Sequence, residues 1–143
     1  MNNNSKNIKN EIWNHFQNFQ RIYLATSEGD QPRVRPVTLI YLDERFWITT
    51  GTHNKKVTQI KKNPRIDFCL PIKEESKEGY IRGTGWTKII KNREQKEKIA
   101  QHCDFFNKFW ESPDDPNFTL IEIFIEEIEY LKPDENIARR FKM

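Results

Sequence analysis

The chain has 143 residues, of which 36% are hydrophobic and 31% charged, and a formal net charge of +3. That length suits one domain with a real core, and no apolar run approaches the roughly 18 residues a membrane-spanning helix needs. The polar start M-N-N-N-S-K-N has no signal-like apolar stretch, and the scattered charge shows no arginine-rich block, so no membrane, secretory or nucleic-acid role is expected.

Ile8, Ile12, Trp13, Phe16 and Phe19 recur near the helical period and predict an amphipathic helix over residues 5–20, packed across one end of a β core. Arg21 to Ser27 reads as a first strand, Glu28-Gly29-Asp30 as a turn, and Gln31 to Leu42 as a second strand. Pro32 and Pro36 cannot donate to a ladder, so part of that strand is an edge or a bulge with free main-chain groups. Asp43-Glu44 turns the chain into a third strand, Arg45 to Thr50. Val57 and Ile60, stopped by Pro64, predict a short helix that Asn54 or Thr52 can cap.

Arg65 to Ile72 alternates as a strand, residues 73–78 read as a charged loop, and Tyr80 to Ile90 is a long strand. Gly83 and Gly85 inside it mark a bulge or a close backbone approach. Asn92 to Cys103 reads as a helix with a charged outer face, followed by an aromatic cluster of Phe105, Phe106, Phe109 and Trp110. Residues 113–117 form a loop, Phe118 to Leu131 a last strand or strand pair, and residues 136–143 a basic tail. About six strands with short connections and three helices predict a mainly β fold, an antiparallel sheet closed into a small barrel with flanking helices.

The short helix after the third strand is the informative element. Lys55 and Lys56 fall in its first turn, where the helix dipole is already positive and an anion is welcome. Thr49, Thr50 and Thr52 add neutral donors just before it, so the stretch reads as a phosphate cradle. Solvated lysines and turn-forming threonines are the alternative.

Other chemistries find no support. His15, His53 and His102 show no metal-ligand spacing, and there is no GxSxG, Walker A or GxGxxG motif. His102 and Cys103 are neighbours on a helix, so their side chains diverge by about 100°. Cys69 and Cys103 lack a CxxC spacing and are expected as reduced thiols in a cytoplasmic protein.

P-R-V-R-P-V-T at 32–38, W-I-T-T at 47–50, N-K-K-V-T-Q-I-K-K-N-P-R at 54–65 and Y-I-R-G-T-G at 80–85 resemble the pyridoxamine 5′-phosphate oxidase-like, FMN-binding split-barrel flavoproteins. The resemblance implies a homodimer of six-stranded split barrels with two FMN sites at the subunit interface, and a small-molecule substrate or electron donor. It places Arg35, Pro36, Val37 and Thr38 beside the isoalloxazine ring, with Arg35 or Arg33 supplying positive charge near the ring or phosphate. Thr49, Thr50, Lys55 and Lys56 would hold the phosphate and Gln59 the ribityl chain or phosphate. The aromatic cluster would roof the ring from the partner subunit, or fill the core or dimer contact.

The chain departs from the oxidases proper. Ile40 stands where they carry a lysine near the flavin, Glu78 loosely where they carry a glutamine, and A-R-R-F-K-M lacks their C-terminal tryptophan and arginine. Oxidation of pyridoxamine phosphate itself is therefore not expected. A flavin-dependent oxidoreductase of unknown substrate is the leading reading. A haem, deazaflavin or non-catalytic flavin binder on the same fold is the alternative.

Overall fold

The computed structural model describes residues 2–143. Seven antiparallel strands and three α-helices follow in the order α1 (Asn2–Asn14), β1 (Phe19–Glu28), β2 (Gln31–Leu42), β3 (Arg45–Gly51), α2 (Lys55–Lys62), β4 (Arg65–Glu74), β5 (Lys77–Ile90), α3 (Arg93–His102), β6 (Phe118–Leu131) and β7 (Arg139–Lys142). The sheet runs β3-β2-β1-β4-β5-β6-β7, and a further pairing of β3 with β6 closes six of the strands into a barrel.

Turn chemistry sets the register. Gly29, at φ +62°, opens the β1–β2 hairpin, and Asp43 and Glu44, at φ 56° and 60°, form the tight turn between β2 and β3. Two positive φ values in succession suit a primed turn, whose twist matches that of the strands it joins. The predicted bulge lies between Thr84 and Gly85, where the β5–β6 register shifts. A side chain at Gly85 would collide with the Phe124 carbonyl, so the close approach there requires glycine.

Two apolar clusters form on opposite faces of the barrel wall. Inside lie Ile22, Leu24, Leu39, Ile48, Phe68, Ile81 and Ile121, with Ile12 and Phe16 closing one end and Ile60 of α2 packing in as well. Outside, Ile40, Trp47, Phe118 and Leu120 pack against Ile99 and Cys103 at α3 and against Phe106 and Trp110 beyond it. Each fully buried aliphatic side chain contributes about 1.5–3 kcal/mol. The outer cluster therefore fixes the segment after α3 firmly against β3 and β6.

Three elements differ from the sequence expectation. Phe19 belongs to β1, because α1 ends at Asn14. Residues 73–78 extend β4 and β5 into one hairpin, with Glu75 at φ 57° in its turn, since charged side chains on both strands can face solvent. The basic tail contributes β7, which pairs Arg139–Lys142 with Glu127–Tyr130. Arg140 bonds Glu129 at 2.9 Å there, a cross-strand charge pair that local periodicity does not reveal. No helix among the described residues is long and apolar enough to cross a membrane.

Candidate functional site

The barrel is split between β2 and β3. The two strands pair only over Ile40–Leu42 and Arg45–Trp47, after which β2 follows β1 and β3 follows β6. Residues 31–39 of β2 therefore have one open edge. The two-residue turns fix which main-chain groups face it. Gln31, Arg33, Arg35 and Val37 exchange hydrogen bonds with β1, whereas the groups of Val34 and Thr38 point outward. Pro32 and Pro36 fall on outward positions, where a missing N–H leaves β1 pairing intact. Along Pro36–Thr38 the edge offers the Pro36 carbonyl, the Thr38 N–H and the Thr38 carbonyl.

A cavity of about 380 Å³ occupies the split. Pro36, Val37 and Thr38 form one wall, Thr49, Thr50, Gly51 and Lys56 a second, and Phe105, Phe109 and Trp110 a third. Lys56 is positioned by α2. Asn54 caps that helix, its side chain accepting from the Lys56 N–H at 3.2 Å, and Lys56 lies on the same buried face as Val57, Gln59 and Ile60. The Lys56 side chain thereby points inward, only 7% exposed, and its Nζ donates to Thr50 Oγ1 at 2.8 Å.

That ammonium has no carboxylate partner among the described residues. Its charged neighbour is another cation, Arg35. Burial first and Arg35 second hold the Lys56 pKa below the usual lysine range. Arg35 likewise pairs with no acid: Nη1 donates to the Leu24 carbonyl at 3.2 Å and Nη2 to Gln59 Oε1 at 2.7 Å. Gln59 is buried, accepts from Thr26 Oγ1 at 2.5 Å as well, and reaches Glu28 Oε2 with Nε2 at 3.4 Å. Two adjacent, partly desolvated cations without a counter-charge are an arrangement that an anion would complement.

The remaining sequence-predicted residues lie apart. Lys55 is exposed and lines a separate cavity of about 360 Å³ with Glu28, Gln59 and Lys62, on the other side of α2. Arg33 forms a surface pair with Glu28 at 2.8 Å, each side chain half exposed. Thr52 is committed elsewhere, donating to the Pro116 carbonyl at 2.8 Å and lying 2.8 Å from the Thr119 hydroxyl. Its hydroxyl therefore holds the 113–117 loop instead of joining Thr49 and Thr50. Sequence reasoning passed over Thr26 and Glu28, which orient Gln59 from 33 and 31 residues away.

Residues 8–132 match the family model described as pyridoxamine 5′-phosphate oxidase. The chain belongs to this family. General stress protein 26 of Bacillus subtilis (strain 168) is 25% identical over 133 residues, covering 92% of this chain and 94% of its own. The solved general stress protein 26 of Bacillus anthracis str. Sterne superposes with a TM-score of 0.76 at 24% identity, over 95% of this chain and 98% of that one. A pyridoxamine 5′-phosphate oxidase-related, FMN-binding protein from Nostoc punctiforme PCC 73102 shares the fold at TM-score 0.69 and 17% identity, covering 84% and 78% of the two chains. A heme-binding protein from Mycobacterium smegmatis shares it at TM-score 0.71 and 10% identity, over 87% of this chain and 53% of that one. Proteins that share this fold are thus described as FMN-binding in one case and heme-binding in another.

Proposed function

We propose that the cavity in the split binds FMN, and that the protein is a flavin-dependent oxidoreductase of the pyridoxamine 5′-phosphate oxidase family. The observation that carries this reading is the buried Lys56 ammonium, bonded only to Thr50 and repelled by Arg35. A phosphate supplies the missing charge. Lys56, Thr50 and Thr49 would hold it, with Arg35 reinforcing the potential and Gln59 fixing Arg35 in place. The open β2 edge suits the flavin pyrimidine ring, whose N3–H needs an acceptor and whose carbonyls need a donor. Pro36 and Thr38 offer that pair.

When bound, FMN supplies hydride or electron transfer at its ring. The chain itself contributes position, charge and exclusion of water. The Thr38 N–H and the nearby cations favour negative charge on the pyrimidine edge, and the aromatic wall keeps water from the ring face. A haem would want an axial ligand, and His15, His53 and His102 do not line the cavity; His102 packs its ring on Phe19, centroids 5.0 Å apart. Tyr23, 44% exposed, sits opposite Pro36 in the β1–β2 ladder, and Val34, 69% exposed, lies one outward position along. These apolar side chains beside the cavity support a homodimer whose second subunit completes the site, leaving room for a small-molecule substrate or electron donor.

The deciding experiment is the visible spectrum of purified protein after FMN addition and gel filtration. Retained flavin bands support the proposal. A colourless protein that ignores added FMN overturns it.

A further inference from the structure

Phe109 is a large aromatic ring that the fold does not use. It is 67% exposed, whereas Phe106 and Trp110 on either side of it are 3% and 9% exposed and belong to the outer core. Its backbone is nevertheless fixed. The N–H groups of Phe109 and Trp110 both donate to the Phe106 carbonyl at 3.1 Å, and Trp110 Nε1 donates to the Asn117 carbonyl at 3.0 Å. The Phe109 ring stands 5.5 Å from that of Trp110, tilted by 49°, and lines the cavity together with Phe105. Within one subunit, an exposed phenylalanine at a cavity wall lacks a stability rationale, because its ring leaves little water on folding.

The cavity is polar at Thr49, Thr50 and Lys56 and aromatic at Phe105, Phe109 and Trp110. We propose that Phe109 is a positioning residue for the flavin, stacking on the isoalloxazine from the same chain that supplies Lys56. The inference rests on the FMN reading above and adds to it the wall that orients the ring. An aromatic partner contributes both apolar cover and a preferred offset-stacked geometry. The flat ring is thereby held against the β2 edge, and its other face is left open to a second reactant.

The test titrates wild type, Phe109→Ala, Phe109→Tyr and Phe109→Leu with FMN and with riboflavin, reading flavin fluorescence and the visible bands. Phe109→Ala is expected to weaken both ligands by a similar factor of about ten, because the ring is common to both. It should also relieve part of the fluorescence quenching seen on binding. Phe109→Tyr should restore affinity and quenching, and Phe109→Leu should restore neither fully. The melting temperature of the unliganded variants should stay near wild type, since the ring is exposed. Wild type binding FMN while Phe109→Ala keeps full affinity and quenching overturns this inference alone. Loss confined to FMN, or complete rescue by leucine, overturns stacking as well. Wild type that binds no FMN removes the cofactor reading itself.

Discussion

Lys56→Met separates the two ends of the proposed ligand. In the free protein the substitution removes a buried ammonium that lacks a counter-ion, at the cost of the 2.8 Å bond to Thr50. A hydrogen bond from a charged donor is worth about 1.5–3 kcal/mol, and burying a charge without a counter-ion costs several kcal/mol. The unliganded variant should therefore be as stable as wild type, or more stable by up to about 1 kcal/mol. Bound FMN reverses the sign. Lys56 retains two N–H donors beyond Thr50, and each charge-assisted bond to a phosphate is worth about 1.5–3 kcal/mol. Affinity for FMN should fall at least tenfold, and more than a hundredfold if both donors engage. Riboflavin, which lacks the phosphate, should bind the variant as it binds wild type. Lys55→Met is the control. Lys55 is exposed, and an exposed charge contributes about 0–1 kcal/mol, so FMN affinity should fall less than about fivefold. The pH dependence follows from the lowered Lys56 pKa. The folded, unliganded protein holds the Lys56 proton less tightly than the unfolded chain does. Its stability therefore rises with pH from the folded pKa up to the ordinary lysine value of 10.5. FMN affinity runs the other way, declining relative to riboflavin as Lys56 deprotonates below that value. Calorimetric titration with both ligands, and thermal melts without them, give all these quantities. Equal losses for FMN and riboflavin, or marked destabilisation of unliganded Lys56→Met, would refute the anion-site reasoning.

Three further substitutions probe the frame of the site. Gln59→Leu removes the shared acceptor of Thr26 and Arg35; urea unfolding should show a loss of about 1–3 kcal/mol from the stranded donors. Gly85→Ala should cost several kcal/mol or prevent folding, measured by melting temperature, because a new Cβ meets the Phe124 backbone, which cannot swing away. Glu129 accepts from Tyr80, Arg140 and Arg82, and the Tyr80 bond first, then Arg140, lowers its pKa below the ordinary 4.5. A depressed folded pKa gives stability that is present above the unfolded value and lost as pH falls through the folded one. Acid unfolding of wild type should therefore begin below about pH 4.5, and Glu129→Gln should be less stable at neutral pH with a flatter acid limb.

Much of the barrel was legible because its signals are local. Alternation in β1, β3 and β4, the Asp43-Glu44 turn, Asn54 before two lysines and Pro64 behind them are all readable within a few residues. The β4–β5 hairpin turn and β7 were not, because charged strands at a sheet margin lack an apolar face to announce them. At the site, sequence placed Lys55 and Lys56 together as neighbours in one helical turn. A helix rotates successive residues by about 100°, so one lysine enters the cavity and the other leaves it. Choosing between them from sequence requires knowing which face α2 buries, and Val57 with Ile60 does indicate that face. The Thr26–Gln59–Arg35 relay had no such signal, since its members come from β1, α2 and β2.

The two prolines of β2 tie fold to site. A strand that leaves its neighbour exposes a row of hydrogen-bonding groups, and such an edge ordinarily invites another strand. Pro32 and Pro36 occupy outward positions of this one, so the edge keeps carbonyls but loses donors at both. A pairing strand would find its acceptors unanswered there. A small planar ligand needing one acceptor and one donor would not, because Pro36 and Thr38 still supply them. The same substitution pattern therefore guards the open edge against strand addition and leaves it competent for a heterocycle, with the buried cation of α2 nearby to hold the ligand's charged end.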